Sequence, residues 1–417
     1  MSEIVYRRCC GMDVHKKTVV VCVLAPVGRT GAVVRKTYGT FRNDLIRMRV
    51  WLKQLKVTEI AMESTGVYWR PVWNVLEENG FRLLLVNPAQ VKALQGRKSD
   101  RRDAQRIAEY LEDNRLDGSF VPPREIRELR QLLRHRLSLL QQRGEAHNQI
   151  RDLFETANLK LSSVASNLLG VSGQRIIEGL IDGQNSAERL SWKVRGKLRK
   201  KEKLVKESLN GCFNEFHRLL LKAHYQRYQF FSQQIAECEQ EVEKRMAPYG
   251  AQIALLTSIP GVERMVAWHL IAELGVDMSV FPDADHCASW AGMCPGNCES
   301  AGKRLSGRTK KGNKYLRRVL TQAAWAVSHR KQGYLRAAFY RIKARRGWGK
   351  AIVAVGHKIL VIAYSLLKTG TPYQDLGSDY FDRLHPERTT KRLVQRLERL
   401  GLQVVLTPSP VAIPQIQ

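Results

Sequence analysis

Acidic residues are scarce in this chain. Its 417 residues carry 39 Asp+Glu against 69 Lys+Arg, a formal charge of +30. So large an excess argues against an ordinary metabolic enzyme. It implies a polyanionic partner, nucleic acid before membrane, because phosphates repay dense Lys and Arg through counterion release. Long apolar runs are also lacking. The longest apolar segment, Ala351 to Leu367, holds His357 and Lys358 near its middle and reads as a buried helix, not a membrane span. Met1 to Arg8 has no apolar stretch behind a basic start, so no signal peptide is expected and the cytoplasm is the expected compartment. The 8 cysteines include no CxxC pair. His286, Cys287, Cys294 and Cys298 cluster, which raises zinc. Cys287 lies in an apolar helical stretch, however, and free thiols in a reducing compartment are the favoured reading.

There is ample material for a folded interior, with 44% hydrophobic and 8% aromatic residues, and the length suggests two or three domains. Residues 4 to 41 alternate like a β-meander: Ile4 to Met12, a turn at His15-Lys16-Lys17, Thr18 to Ala25, a turn at Pro26-Val27-Gly28, then Ala32 to Phe41. A helix is predicted around Asn43 to Leu55, a strand over Glu59 to Met62, and a helix from Trp69 to Asn79 stopped by Gly80. A strand from Phe81 to Val86 ends at Asn87-Pro88, and a further helix runs from Asp100 to about Glu112. Three antiparallel strands followed by alternating helix and strand is the order of an RNase H-like α/β fold, closing at Pro122-Pro123.

Beyond it the chain reads as mostly α. Ile126, Leu129, Leu133, Leu137 and Leu140 recur at helical spacing, as a coiled-coil arm or a packed helix. Arg189 to Lys206 holds nine basic residues and one acid, a solvated basic stretch or a nucleic-acid contact. Tyr228, Phe231, Ile235, Cys238 and Val242 form a second stripe, a core or a dimer seam. Near Gly250 a helix, a turn at Ile259-Pro260-Gly261-Val262 and another helix open a new segment. That turn suits either phosphate contact through backbone N–H groups or simple packing. After Gly370 periodicity fades. The expected divisions are 1–123 for the α/β domain, 124–249 for a helical connector, 250–370 for a mainly helical C-terminal domain and 371–417 for an irregular tail.

Four carboxylates stand out. Asp13 ends the first strand, Glu63 ends the fourth, and Asp100 and Asp103 share one face of the helix they open. In an RNase H-like sheet the first and fourth strands are neighbours, so Asp13 and Glu63 converge and the helix lays its pair beside them. Two anions about 4 Å apart repel by roughly 4 kcal/mol at an effective dielectric near 20, so four need a cation. Hard oxygen ligands with a phosphodiester substrate point to Mg²⁺ or Mn²⁺. Singly, each acid could be a turn former or a helix cap. Arg97, Lys98, Arg101, Arg102 and Arg106 crowd the same turns, beyond what two carboxylates need for pairing, and suit phosphate contacts.

Gly11-Met12-Asp13-Val14-His15-Lys16, Met62-Glu63-Ser64-Thr65-Gly66 and Lys98-Ser99-Asp100-Arg101-Arg102-Asp103-Ala104 together resemble the DEDD transposases of bacterial insertion sequences, the insertion sequence 110 group. The likeness continues through Ile259-Pro260-Gly261-Val262, Trp290 to Asn297, Glu299-Ser300-Ala301-Gly302-Lys303 and Gly312-Asn313-Lys314-Tyr315-Leu316-Arg317-Arg318. The resemblance implies an N-terminal RuvC-like domain, a coiled-coil connection and a C-terminal transposase domain with a nucleophilic serine. It also implies a bridge RNA that pairs with donor and target DNA, a bacterial, nucleoid-associated setting, and Asp13, Glu63, Asp100 and Asp103 as the acidic set. Ser300 becomes the nucleophile, with Ser306 as fallback because Glu299 and Ala301 replace the flanks many members carry.

A serine hydroxyl is a poor nucleophile at neutral pH and needs a base, a metal or electrostatic help. Positive charge surrounds Ser300: Lys303, Arg304, Arg308, Lys310, Lys311, Lys314, Arg317 and Arg318, with no acid from Ala301 to Arg318. Such a field stabilises a scissile phosphate, or simply grips DNA. The expectation is strand transfer through a covalent phosphoserine link with Mg²⁺ help, by a composite site formed within one chain or between protomers of a dimer or tetramer. Two rivals remain open: an RNase H-like nuclease or resolvase using activated water, and a non-catalytic RNA- or DNA-packaging protein.

Overall fold

A computed structural model describes residues 8–27, 30–64, 66–88, 100–295, 298–300, 303–306, 309, 312–384 and 386–407. For 25–27, 30–32, 100–102, 298–300 and 303–306 the description covers the backbone only. The chain divides into two compact units, Met1–Arg124 and Glu125–Gln417.

The first unit is built on a five-stranded sheet. Its strands are β1 (Cys9–Val14), β2 (Thr18–Val27), β3 (Thr30–Gly39), β4 (Glu59–Glu63) and β5 (Arg82–Val86), in the order β3-β2-β1-β4-β5. The first three strands are antiparallel, whereas β4 pairs parallel with both β1 and β5. Successive side chains of a strand point to opposite faces. Cys10, Met12, Val14, Val19 and Val21 therefore meet Leu45, Met48 and Leu52 of α1 (Arg42–Gln54) and Val72 and Leu76 of α2 (Trp69–Leu76). Cys9, Ala61 and Val86 meet Ile107, Ala108 and Leu111 of α3 (Asp100–Glu112) on the other face. The α2 turn ends as expected at Gly80, whose φ of 79° is left-handed.

The β2–β3 hairpin is longer than its sequence suggests. Pro26 reads as a turn residue, yet β2 runs through it to Val27. Among the described residues, pairing with β1 runs to Leu24, and Pro26 pairs with Gly31 of β3.

Gly11 sets the distance between sheet and helix. A Cβ built there would lie 2.1 Å from the Ala104 carbonyl oxygen and 2.4 Å from the Ala108 nitrogen. Both are backbone atoms that no rotamer change can move, so α3 rests directly on the β1 main chain. Gly11→Ala is expected to cost about 3 kcal/mol of stability in the first unit, the upper range for overpacking. Urea unfolding followed by far-UV circular dichroism would read this as a lower midpoint.

The second unit begins with α4 (Arg124–Thr156), which packs antiparallel to α9 (Glu215–Met246). Glu128 pairs with Arg245, Arg136 with Glu239, and Leu139 packs on Phe231 and Ile235, so one helix descends as the other rises. The stripe from Tyr228 to Val242 is real, but the helix that carries it starts well before, at Glu215, where Asn214 and His217 form a capping box. At the end of this pair, α5 (Leu161–Val164), α6 (Val171–Ile181), α7 (Ala187–Ser191) and α8 (Glu202–Ser208) close a small core around Phe154, Leu161, Ile176, Ile177 and Val205. Most of the basic stretch Arg189 to Lys206 lies in these short elements and their links, its cations mainly exposed.

The remainder is a helical bundle of α10 (Gly250–Thr257), α11 (Arg264–Leu274), α12 (Ala284–Trp290), α13 (Lys314–Ser328), α14 (Tyr334–Arg346) and α15 (Trp348–Thr369). By length and hydropathy α15 could cross a membrane. Its Ala351, Val355, Ile359, Leu360 and Ala363 are instead core residues of the bundle, as the sequence reading has it. At Gly261 (φ 83°) an added Cβ would stand 2.6 Å from the Ala323 carbonyl, so the Pro-Gly turn packs tightly on α13. The stretch after Gly370, read as irregular, contains α16 (Tyr380–Leu384) and α17 (Pro386–Glu398). Of the apolar residues of α17, Leu393 and Leu397 are exposed and Val394 is only half-buried, so the helix forms without the buried core partner that usually betrays one in a sequence.

Candidate functional site

Asp13 is the one charged residue of the first unit that is buried among the described residues, at 7% exposure. It shares the parity of Cys9 and Gly11 and so stands on the α3 face of β1. Met12 pairs with Met62 across β1 and β4, and Asp13 and Glu63 each follow that pair by one residue. Glu63 has the parity of Ala61, which faces α3 as well. The helix seated on Gly11 delivers Asp103 to the same corner. Burial pushes the Asp13 carboxyl above its usual range; His15 pulls it back, and the charges of Glu63 and Asp103 raise it again. Three carboxylates thus interact electrostatically around one buried member.

His15 is the partner that sequence reading took for a turn former. Its Nε2 stands 3.0 Å from Asp13 Oδ2, holding one carboxylate oxygen. Asp103 has a looser partner in Arg106, at 3.6 Å. Asp100 begins α3 one turn before Asp103, its side chain outside the described residues, as are those of Arg101 and Arg102. Arg97 and Lys98 lie outside the described residues altogether. Among the described residues no three His, Cys, Asp or Glu side chains form a ready metal cluster. The chemistry of the donors nevertheless suits a hard cation: carboxylate oxygens in mutual repulsion, one of them desolvated.

In the second unit Ser300 ends β6 (Cys298–Ser300), which pairs antiparallel with β7 (Lys303–Ser306). Ser300 faces Lys303 in register, so two residues connect the strands and Ser300 sits at the apex of the hairpin. Ser306 faces Cys298 at its base. Below, Pro295 bridges to Thr309, and a Cβ on Gly312 would lie 2.4 Å from the Gly292 nitrogen. The two ends of the segment are therefore clasped backbone to backbone. Arg308, Lys310 and Lys311 lie outside the described residues, as do the side chains of Lys303 and Arg304. Of the expected cations on α13, Lys314 and Arg318 are exposed. Arg317 is half-buried and donates from Nη2 to the Gly292 carbonyl at 3.2 Å, so it braces the clasp.

A second brace was not legible in the sequence. Glu273, 1% exposed on α11, receives both Nε and Nη2 of Arg134 at 2.8 Å, with Arg130 Nε at 3.3 Å. Asn313 Nδ2 donates to the same carboxylate at 2.6 Å, while its Oδ1 caps α13 by accepting from the Tyr315 and Leu316 amides. The residue that ends the hairpin segment is thereby tied to α4 and α11. The zinc cluster considered above gains nothing here. Burial pushes the Cys287 thiol up to about 12, and the seven cysteines with described side chains are all free.

An α/β unit with carboxylates gathered on one sheet corner, followed by a basic helical unit, belongs with the enzymes that process DNA. A family model described as a transposase, of the DEDD insertion sequence 110 type, matches residues 10–158. Another, described as "Transposase IS116/IS110/IS902 family", matches residues 253–341. The two span more than half of the chain in order, and the chain belongs to this family of transposases. Among curated proteins the comparison found no match.

Proposed function

We propose that this transposase cuts and rejoins DNA through a phosphoserine link, with Ser300 as nucleophile and Asp13, Glu63, Asp100 and Asp103 as holders of a divalent cation. The observation that carries the acidic half is the seating of α3 on Gly11, which brings Asp103, like Glu63, within electrostatic reach of Asp13. Mg²⁺ or Mn²⁺, when bound, offsets the charge of a scissile phosphodiester and of the oxygen that leaves it. His15 fixes the orientation of the Asp13 carboxylate. Ser300 attacks phosphorus, its proton leaving to solvent or substrate, and the displaced 3′ or 5′ oxygen departs as an alcohol. The P–O bond to serine keeps the energy of the broken diester for rejoining. Its place at a hairpin apex, in a segment rich in cations, supports this role.

The charge of +30 and the family resemblance support a bridge RNA as the guide, with the protein gripping backbone phosphates of donor and target DNA. The long helices α4 and α9 are the proposed connector through which protomers associate as a dimer or tetramer. The test is to trap protein–DNA adducts with a substrate that blocks rejoining. Ser300→Ala is expected to lose the covalent species while RNA binding persists; an adduct of undiminished yield would remove the serine from the mechanism. Free DNA ends without any adduct would favour activated water.

A further inference from the structure

The bundle of the second unit holds a cavity of about 470 Å³ between α12, α14, α15 and the segment 371–377, which neither the acidic corner nor the hairpin uses. Tyr334 and Tyr373 line it, together with Asp285, His357 and Lys358. Its wall is held in place from both sides. The Tyr373 amide donates to Ser258 Oγ at 2.9 Å, and Asp375 Oδ1 accepts from the amides of Tyr334 (3.0 Å) and Gly377 (2.8 Å). Gly333, at φ 118°, allows that approach, since a Cβ there would meet Asp375 Oδ2 at 2.9 Å. A cavity fixed in this way is preorganised and needs no folding step to accept a ligand.

The lining has the chemistry of a planar, polar-edged guest. The Tyr334 ring is backed by Phe381, 5.4 Å away and nearly parallel. Lys358 Nζ, 3.0 Å from the Tyr334 hydroxyl, supplies a cationic donor. The Nδ1 of His357 is buried without a hydrogen-bond partner among the described residues, although Asp285 and Lys358 both act on that imidazole. An orphaned buried ring nitrogen beside a mainly apolar cavity is costly to leave unpaired. Arg330 acts on the Tyr373 phenol from nearby, adding positive charge beside the cavity.

We infer that this cavity takes an unstacked nucleobase from a single-stranded stretch of nucleic acid. The base would lie against the tyrosines, with an exocyclic amine donating to Asp285 and ring or carbonyl acceptors facing Lys358. Aromatic stacking of single-stranded bases is sequence-tolerant and compatible with a strongly basic surround. The inference rests on the nucleic-acid reading of the chain but not on Ser300 or the acidic set.

The experiment uses the full chain and a single-stranded oligonucleotide carrying one 6-thioguanine, cross-linked by near-ultraviolet light and mapped by mass spectrometry. Cross-links are expected on the peptides holding Tyr334 or Tyr373. Ser365, an exposed α15 residue on the cavity rim, provides a variant that spares the core. Ser365→Trp is expected to cut those cross-links about tenfold, as loss of one stacked base should, while affinity for plain duplex DNA stays unchanged. Gln374→Ala, which removes a rim side chain without adding bulk, is expected to leave them in place. Cross-links confined to other basic surfaces, or equal in Ser365→Trp, would overturn the base site while leaving the transposase reading intact. A chain that bound neither single strand nor duplex would overturn both.

Discussion

On the proposed mechanism, Asp13→Asn is expected to abolish strand cleavage, by about 10³-fold or more, because several kcal/mol of charge stabilisation would depend on the cation that Asp13 would help hold. The stability of the metal-free protein should move the other way. Asp13 is buried beside Glu63 and Asp103, and its folded pKa is raised. A carboxyl with a raised folded pKa gives stability that is present below its unfolded pKa and lost as pH rises through the folded one. At neutral pH the wild type has therefore lost it. The neutral amide keeps the hydrogen bond with His15 and drops the repulsion. Melting without divalent ions should be unchanged or higher by about 0.5–2 kcal/mol in the variant. Added Mg²⁺ should raise the wild-type melting temperature and leave that of Asp13→Asn where it was. A variant that lost both activity and metal-free stability would mark Asp13 as a structural residue. DNA affinity should be nearly untouched, since one charge hardly alters a total of +30.

Glu273→Ala is expected to be the most destabilising single change in the second unit. It strands the Arg134 guanidinium, which also lies over the Tyr315 ring at 4.2 Å, and removes partners of Arg130 and Asn313. Breaking a buried ion pair from one side costs about 3–5 kcal/mol because the remaining charge is left uncompensated. Thermal unfolding of the full chain would show it as a lowered transition. Glu273→Gln retains an acceptor for Arg134 and should fall between the two. Because Asn313 caps α13 and ends the hairpin segment, proteolysis near residues 296–311 should quicken in Glu273→Ala before global unfolding. Equal cleavage rates in variant and wild type would separate the network from the hairpin.

The sequence made the local elements legible where a single rule governed them. The helix Asp100–Glu112 was readable at both ends, and the stop at Gly80 followed from one left-handed residue. Element order also sufficed to make Asp13 and Glu63 neighbours, because their strands pair in parallel. What escaped was set by distant partners. Pro26 stays in its strand paired to Gly31 of β3, which no local pattern states. The α9 start was hidden because His217, not the usual Glu or Gln, completes the capping box. Glu273 sits in an apolar run and looks unremarkable until Arg130 and Arg134, some 140 residues away, meet it. Arg317 counted among surface cations, yet it braces Gly292. His15 seemed only a turn residue, since its meaning lies in a bond to a carboxylate two positions back.

The missing side chain at Gly11 has a consequence for how this protein tolerates change. Helix and strand touch there through main-chain atoms alone, a hard stop with no compressible padding between them. Substitutions among the apolar residues on the opposite side of the sheet, such as Leu45 or Val72, alter the padding of a different layer. Drift in that layer should wear away stability gradually, while the gauge between the carboxylates holds until the unit itself gives way.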